Sequence, residues 1–206
     1  MHDGRIHFCA CSLVDNVYVV GGLLGKEATS TCLSFDAKSS QWREVARMKK
    51  ARFYAGCCSF QGRVVASGGQ AEVDGKATNS VEVFDHVRNA WTCMPAMNRP
   101  RKYHKQVAVG SKLYVVGGPR SVEVFDWISG KFAYVVSISS VLYQYPLGNI
   151  LEFPAEVFAV GDQLVLFGHI VDAVFYYDVT TDEWREQSCE IVKRSKSYCG
   201  VKIPHA

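Results

Sequence analysis

One hexapeptide, SVEVFD, occurs twice in this chain of 206 residues, at 80–85 and again at 121–126. Six identical positions are an improbable coincidence unless a longer unit has been duplicated. The flanking residues repeat as well, because an aromatic residue follows each copy at the same distance, Trp91 in the first and Phe132 in the second. The chain is therefore an array of repeats, and its fold has to be one that repetition can build.

Each unit also carries a pair of small residues after an apolar run. The first residue of this pair recurs at steps of 47, 49 and 51 residues, at Gly21, Gly68, Gly117 and Gly168. An arginine stands 16 residues before it in three units, whereas the fourth unit has Glu152 there and His169 in place of its second glycine. These features keep their register, which predicts repeats over about residues 5–48, 52–97, 101–138 and 152–190 and a further fragment at 194–206.

The pattern within each unit predicts four short β-strands. A first segment such as CACSLV leads through a turn to the apolar run, the alternating SVEVFD-type run follows, and a second turn precedes a strand that opens on Trp or Phe. The aspartate of each third run suits a turn, and the large aromatic residues are expected to be buried between units: Trp42, Trp91, Phe132 and Trp184. Four strands per unit at this period are typical of an all-β propeller.

The composite of arginine, apolar strand, double glycine, aromatic–Asp, Trp and Met resembles the kelch repeat over about residues 5–190. The resemblance implies a kelch-type β-propeller, similar to the C-terminal propeller of BTB-kelch (kelch-like) proteins, with four four-stranded antiparallel blades and the start of a fifth. Because kelch propellers of the common intracellular kind close with six blades, we expect a partial ring from a longer protein. An open array exposes blade faces and strand edges, so marginal stability is expected.

Composition and motifs narrow the possible functions. The net charge of +3 does not indicate nucleic acid, and neither a membrane-spanning run nor a secretory signal is present, which predicts a cytoplasmic chain with no membrane partner. The eight cysteines form no C-x-x-C pairs, so they are interpreted as reduced thiols used as small core residues. No catalytic motif appears, so we expect no enzyme activity, no cofactor and no metal.

The candidate binding surface lies in the loops that link one unit to the next, the inter-blade loops 47–54, 97–105 and 190–198. They combine cations with aromatic residues, and the resemblance places them on one face with the loops after the double glycines. Such a surface suits an acidic or phosphorylated protein segment, although ordinary solvated loop charge is the alternative. The candidate partner-binding residues are Arg5, Lys49, Arg52, Tyr54, Arg99, Arg101, Tyr103, His104 and Arg120.

The resemblance implies a protein-interaction module, the substrate-recognition propeller of a kelch-like adaptor for a cullin-RING ubiquitin ligase. The BTB region that would bind the ligase is absent from this chain. An actin-binding or cytoskeletal scaffold is the alternative, and a propeller enzyme is a third. The insertion at 139–153 either forms an apolar anchor patch or covers a blade edge.

Overall fold

The computed structural model describes residues 4–118, 121–135, 154–168 and 173–188, and every helix or strand assigned in these ranges is a β-strand. Several expectations fall elsewhere in the chain. Arg120, Glu152, His169, the insertion at 139–153, the third inter-blade loop and the fragment at 194–206 lie outside the described residues.

The strands form four antiparallel sheets, each a meander of four strands. The first contains β1 (Cys9–Leu13), β2 (Asn16–Val20), β5 (Cys32–Asp36) and β6 (Gln41–Val45), with the small hairpin β3 (Leu23–Leu24) and β4 (Glu27–Ala28) after its double glycine. The second contains β7 (Gly56–Phe60), β8 (Arg63–Ser67), β9 (Val81–Asp85) and β10 (Ala90–Met94). The third contains β11 (Lys105–Val109), β12 (Lys112–Val116), β13 (Val122–Asp126) and β14 (Lys131–Tyr134). The fourth contains β15 (Pro154–Val160), β16 (Gln163–Gly168), β17 (Ala173–Asp178) and β18 (Glu183–Ser188). The predicted all-β fold of four-stranded blades is confirmed.

The blades stand side by side, with their first strands on the inside. Strand β7 packs between β1 and β11, and β11 packs in turn against β15. Apolar side chains fill each seam between neighbouring blades, and the middle strands serve two seams at once. In β8, Val64 packs with Tyr18 of blade 1, whereas its neighbour Val65 packs with Leu113 of blade 3. This double burial explains why the second strands are continuous apolar runs.

The aspartate turns form as expected. Asp36 Oδ1 accepts hydrogen bonds from the amides of Lys38 and Ser39, at 2.8 and 3.0 Å. Equivalent bonds form at Asp85, Asp126 and Asp178. These hydrogen bonds favour the ionised carboxylate and lower the pKa of all four aspartates; that of Asp178 falls to about 2, mainly through the hydroxyl and amide of Thr180.

The expected burial of the tryptophans holds for only part of the set. Trp91 is 6% exposed, and its Nε1 donates to the carbonyl oxygen of Ala46 in blade 1 at 2.8 Å. Trp184 is half-buried and stacks on Tyr177. Trp42 is 38% exposed, so the prediction is wrong for this residue. Trp91 packs against the neighbouring blade 1, whereas Trp42 packs on Phe35 of its own sheet.

Candidate functional site

In the first three repeats the arginine is buried and holds two strands of its blade together, an arrangement called here the arginine clamp. Arg52 is 1% exposed, and its Nη1 donates to the carbonyl oxygens of Gly68 and Ser80, at 2.8 and 3.1 Å. Arg101 makes the equivalent bonds to Gly117 and Ser121, and Arg5 those to Gly21 and Thr31. In blades 1 to 3 one guanidinium therefore ties the end of the second strand to the start of the third.

A buried glutamate completes the clamp in two blades. Arg52 Nη2 lies 2.6 Å from Glu82 Oε1, and Arg101 Nη2 lies 2.8 Å from Glu123 Oε1. The glutamates are the third letter of SVEVFD, and Leu33 takes that position in blade 1. Sequence analysis did not identify Glu82 and Glu123 as functional residues, although a charged residue in an otherwise apolar strand was a signal for both.

The same carboxylates also hold the inter-blade loops. Glu82 accepts the backbone amides of Lys49 and Lys50, at 2.7 and 3.3 Å, and Glu123 accepts those of Asn98 and Arg99, at 2.6 and 3.2 Å. Both loops are thus fixed by charge-assisted hydrogen bonds to the blade that they enter.

These contacts show that the predicted role is wrong for three of the candidate binding residues. We expected Arg5, Arg52 and Arg101 to present exposed charges, and all three are buried. Their guanidinium groups are engaged by backbone carbonyls, and in two blades also by a carboxylate, because an unpaired cation could not be buried at tolerable cost. Burial lowers the pKa of Arg101, opposed by its hydrogen bond to Glu123. The three arginines position the loops and are not available to a partner.

The double glycine brings neighbouring blades together. The amide of Gly22 donates to the carbonyl oxygen of Arg52 in the next blade at 2.8 Å, and Gly69 donates to Arg101 in the same way. A Cβ atom at Gly68 would lie 2.5 Å from the carbonyl oxygen of Arg101. Glycine is needed there because a side chain would push the next inter-blade loop away.

Three aromatic residues form a ladder across the blades. His7, Tyr54 and Tyr103 each follow the clamp arginine by two positions, and their φ angles are +55°, +55° and +60°. The ring centroids of His7 and Tyr54 are 4.4 Å apart, and those of Tyr54 and Tyr103 are 4.0 Å apart. Burial and a hydrogen bond with Tyr54 raise the pKa of Tyr103 to about 12. Sequence reasoning missed His7, although its repeat position matches that of the tyrosines.

The aromatic ladder borders a central channel of about 770 Å³, which is lined by the starts of β1, β7, β11 and β15. Its wall includes Cys9, Gly56, Gln106 and an ion pair of 2.9 Å between Lys105 Nζ and Glu156 Oε1. The volume lies in the range of pockets that bind small ligands or inserted side chains.

His104 belongs to the wall of this channel and is only 2% exposed, so the expectation of an exposed partner contact is wrong for it. Ser67 Oγ donates to Gln106 Oε1 at 2.5 Å and lies 2.9 Å from His104 Nε2. Since the single hydroxyl proton points to Gln106, His104 Nε2 is the donor in its contact. Burial, together with the positive charges of Arg101 and Arg52, lowers the pKa of His104 to about 3.

Of the remaining candidates only Tyr54 and Tyr103 are in contact, whereas Arg99 lies 5.9 Å over the ring of Tyr134 on the outer strand of blade 3. Lys49 and Arg99 are exposed, and Tyr54 and Tyr103 are half-buried. The inter-blade loops also pair with the loops after the double glycines, through hydrogen bonds from Met48 to Ser30 and from Met97 to Asn79. Lys102, which was not a candidate, lies 5.6 Å over the ring of Tyr103 and donates to Gln70 Oε1 at 2.8 Å.

Among the described residues, no cluster of His, Cys, Asp or Glu is arranged to hold a metal ion. None of their elements is a helix of the length and apolar character that a membrane span requires.

The known proteins that this chain resembles contain kelch repeats. Residues 4–49 and 51–98 match the model of the Kelch motif. The chain is 26% identical to Kelch-like protein 26 of Danio rerio, over 97% of this chain and 34% of that protein. It is also 26% identical to Kelch-like protein 35 of Mus musculus, over 97% and 33%. The chain thus spans about a third of the length of these relatives. The solved structure of YjhT shares the fold, with a TM-score of 0.72 at 17% identity over 90% of this chain and 66% of that one.

Proposed function

Because the chain is a kelch-repeat β-propeller that resembles the C-terminal propeller of kelch-like proteins, we propose that it binds a protein segment at the mouth of the central channel. The observation that carries this proposal is the aromatic ladder. Side chains other than glycine rarely adopt a positive φ, and such strain tends to cluster at binding sites. Here three such residues carry rings that contact one another across three successive blades, at the rim of a channel.

The partner segment is acidic or phosphorylated. Lys49, Lys50 and Arg99 are exposed in the two inter-blade loops, and Lys102 lies over the ladder. The backbone of Lys49, Lys50 and Arg99 is fixed by Glu82 and Glu123, so little backbone ordering entropy is lost when a partner binds. The rings of Tyr54 and Tyr103 add a flat surface with low conformational freedom, and such residues are common in binding interfaces.

The wider role follows the family resemblance. We propose that a longer parent protein uses this propeller in the cytoplasm to hold substrates for a cullin-RING ubiquitin ligase, which a BTB region of that parent would recruit. The propeller itself acts without catalysis. The similarity to kelch-like proteins along nearly the whole chain supports a protein-interaction role, and an actin-binding scaffold is the alternative.

The proposal is tested by fluorescence anisotropy with arrays of labelled acidic and phosphorylated peptides. Lys49→Glu combined with Arg99→Glu is expected to weaken the best binder at least tenfold, and salt should weaken the wild type over a Debye length of about 8–10 Å. Arg88→Glu is the matched control, because Arg88 is an exposed cation in the turn between β9 and β10, at the opposite end of the blade.

Equal losses in Arg88→Glu and in the double variant would reject the site, as would equal binding of neutral peptides. Sedimentation of the chain with actin filaments, unaffected by the double variant, would favour the scaffold role instead.

A further inference from the structure

Three cysteine thiols meet in the seam between blades 1 and 2, apart from the proposed partner surface. Cys9 and Cys11 lie on one face of β1, and Cys57 lies on β7, the neighbouring inner strand. All three pack against the same apolar cluster, which includes Tyr18 and Phe84. The repeat itself does not require thiols there, because blade 3 has Lys105, Val107 and Gln106 at the corresponding positions.

The thiol of Cys57 interacts with both of the others. Its pKa is raised well above the ordinary value, first by hydrogen bonds with the thiols of Cys11 and Cys9 and then by burial. All three cysteines are free thiols in this structure. Cys57 therefore faces Cys9 and Cys11 across the seam between the two sheets.

One route leads from solvent to these thiols. Cys9 and Cys57 both line the central channel, and each is half-buried. Cys11 packs in the same seam but does not line the channel. A small disulfide that enters the channel would thus meet Cys9 and Cys57 first, and Cys9 has a thiol neighbour on β7.

We propose that Cys9 and Cys57 form a reversible disulfide that joins blades 1 and 2 when the chain meets a low-molecular-weight disulfide such as oxidised glutathione. The Cys9 thiolate attacks one glutathione sulfur, forms a mixed disulfide and releases one glutathione thiolate. The Cys57 thiolate then attacks the Cys9 sulfur, so that the Cys9–Cys57 bond forms and the second glutathione leaves. Two protein thiols are oxidised, one glutathione disulfide is reduced, and the two thiol protons end on the two released glutathiones.

The second step is the slow one. The thiolate is the attacking species, and the raised pKa of Cys57 leaves little thiolate at neutral pH. The glutathione adduct on Cys9 is therefore expected to appear before the internal disulfide, and closure should accelerate as pH rises.

The test incubates the full chain with mixtures of reduced and oxidised glutathione, blocks free thiols by alkylation and maps the disulfides by mass spectrometry. The wild type is expected to lose two hydrogen atoms and to give a linked peptide containing Cys9 and Cys57. Cys57→Ser should stop at the glutathione adduct on Cys9, and Cys9→Ser should give neither product. Cys93→Ser, which removes an exposed thiol on β10, should behave as the wild type.

Other results overturn the proposal. A linked peptide without Cys57, a disulfide that persists in Cys9→Ser, or adducts confined to Cys93 would each do so. Fragment-ion sequencing of the wild-type linked peptide decides the question if a serine variant fails to fold, because it separates Cys9 from Cys11 and Cys57 from Cys58, and a bond from Cys11 or to Cys58 would reject the proposal.

Discussion

Arg52 and Glu82 form an ion pair of 2.6 Å, and their side chains are 0% and 2% exposed. Arg52 comes from the loop that enters blade 2, and Glu82 comes from the third strand of that blade. The ion pair therefore joins two parts of blade 2 that are 30 residues apart in the sequence. The same contact recurs at Arg101 and Glu123.

Removing one member of this pair should be far more damaging than removing a surface pair. Arg52→Ala leaves a carboxylate buried without its cation, and we expect a loss of about 3–5 kcal/mol in the free energy of unfolding. Lys38→Ala is the control, because Lys38 and Asp15 form an exposed pair of 2.6 Å whose attraction is screened by water, and we expect a far smaller loss. Urea denaturation followed by circular dichroism measures both. Similar losses in Arg52→Ala and Lys38→Ala would contradict a larger contribution of the buried pair to stability.

Alanine at a seam glycine should cost more than alanine at a turn glycine with the same backbone. Gly68 and Gly62 have φ angles of +61° and +68°, so Gly→Ala introduces similar backbone strain of about 1–2 kcal/mol at both. A Cβ at Gly68 would also meet the carbonyl oxygen of Arg101 at 2.5 Å, whereas nothing lies within 4 Å of one at Gly62. Gly68→Ala should therefore lose about 1–3 kcal/mol more than Gly62→Ala. Thermal unfolding of the two variants gives the difference, and equal midpoints would contradict it.

His104 should make stability depend on pH. Its folded pKa of about 3 is below the ordinary value of 6.5, so the unfolded chain binds a proton that the folded chain refuses. The contribution is fully present above about pH 6.5 and is lost as pH falls toward 3, at about 1.4 kcal/mol per pH unit. His104→Gln should flatten this slope in denaturant titrations between pH 4 and pH 7, whereas His86→Gln, at an exposed position, should retain it. An unchanged slope in His104→Gln would mean that the ring is protonated in the fold.

The two outer-strand tryptophans should respond differently to the same change. Trp91→Phe removes the hydrogen bond to Ala46 and leaves a carbonyl without its donor, at an expected cost of about 1–2 kcal/mol. Trp42→Phe acts on a residue that is 38% exposed, and we expect a change within about 0.5 kcal/mol. Equilibrium unfolding monitored by the remaining tryptophans compares the two, and a larger effect at Trp42 would refute this account of the seams.

The strands and turns could be predicted because their causes are local. The alternation in VEVFD, the double glycine and the aspartate that bonds its own turn all act within a few residues. The burial of Arg52 could not be predicted, because its partner lies 30 residues away and a cation in a polar loop is ordinarily solvated. Trp42 shows the same limit, since its exposure depends on a neighbouring blade and not on its own strand.

The aromatic ladder was predicted in part. Tyr54 and Tyr103 stood out as rings beside cations, and the structure places them in contact. His7 escaped notice because its residue type differs, although its repeat position and its φ of +55° are those of Tyr54. Comparing positions, and not residue types, would have identified it.

The arginine clamp also fixes the number of residues between the arginine and the first glycine of the double glycine. It joins residues 16 positions apart in three blades, so an added or lost codon inside that interval would move the guanidinium off its carbonyl. The segment after the double glycine has no such constraint, because its closing hydrogen bond runs from Thr29 to Gly22 in blade 1 and from Thr78 to Gly69 in blade 2, over seven and nine positions. A change in length is therefore better tolerated in the segments after the double glycines, and residues 74–77 are the place to graft a foreign peptide, because Gln70 holds the carbonyl groups of Glu72 and Val73.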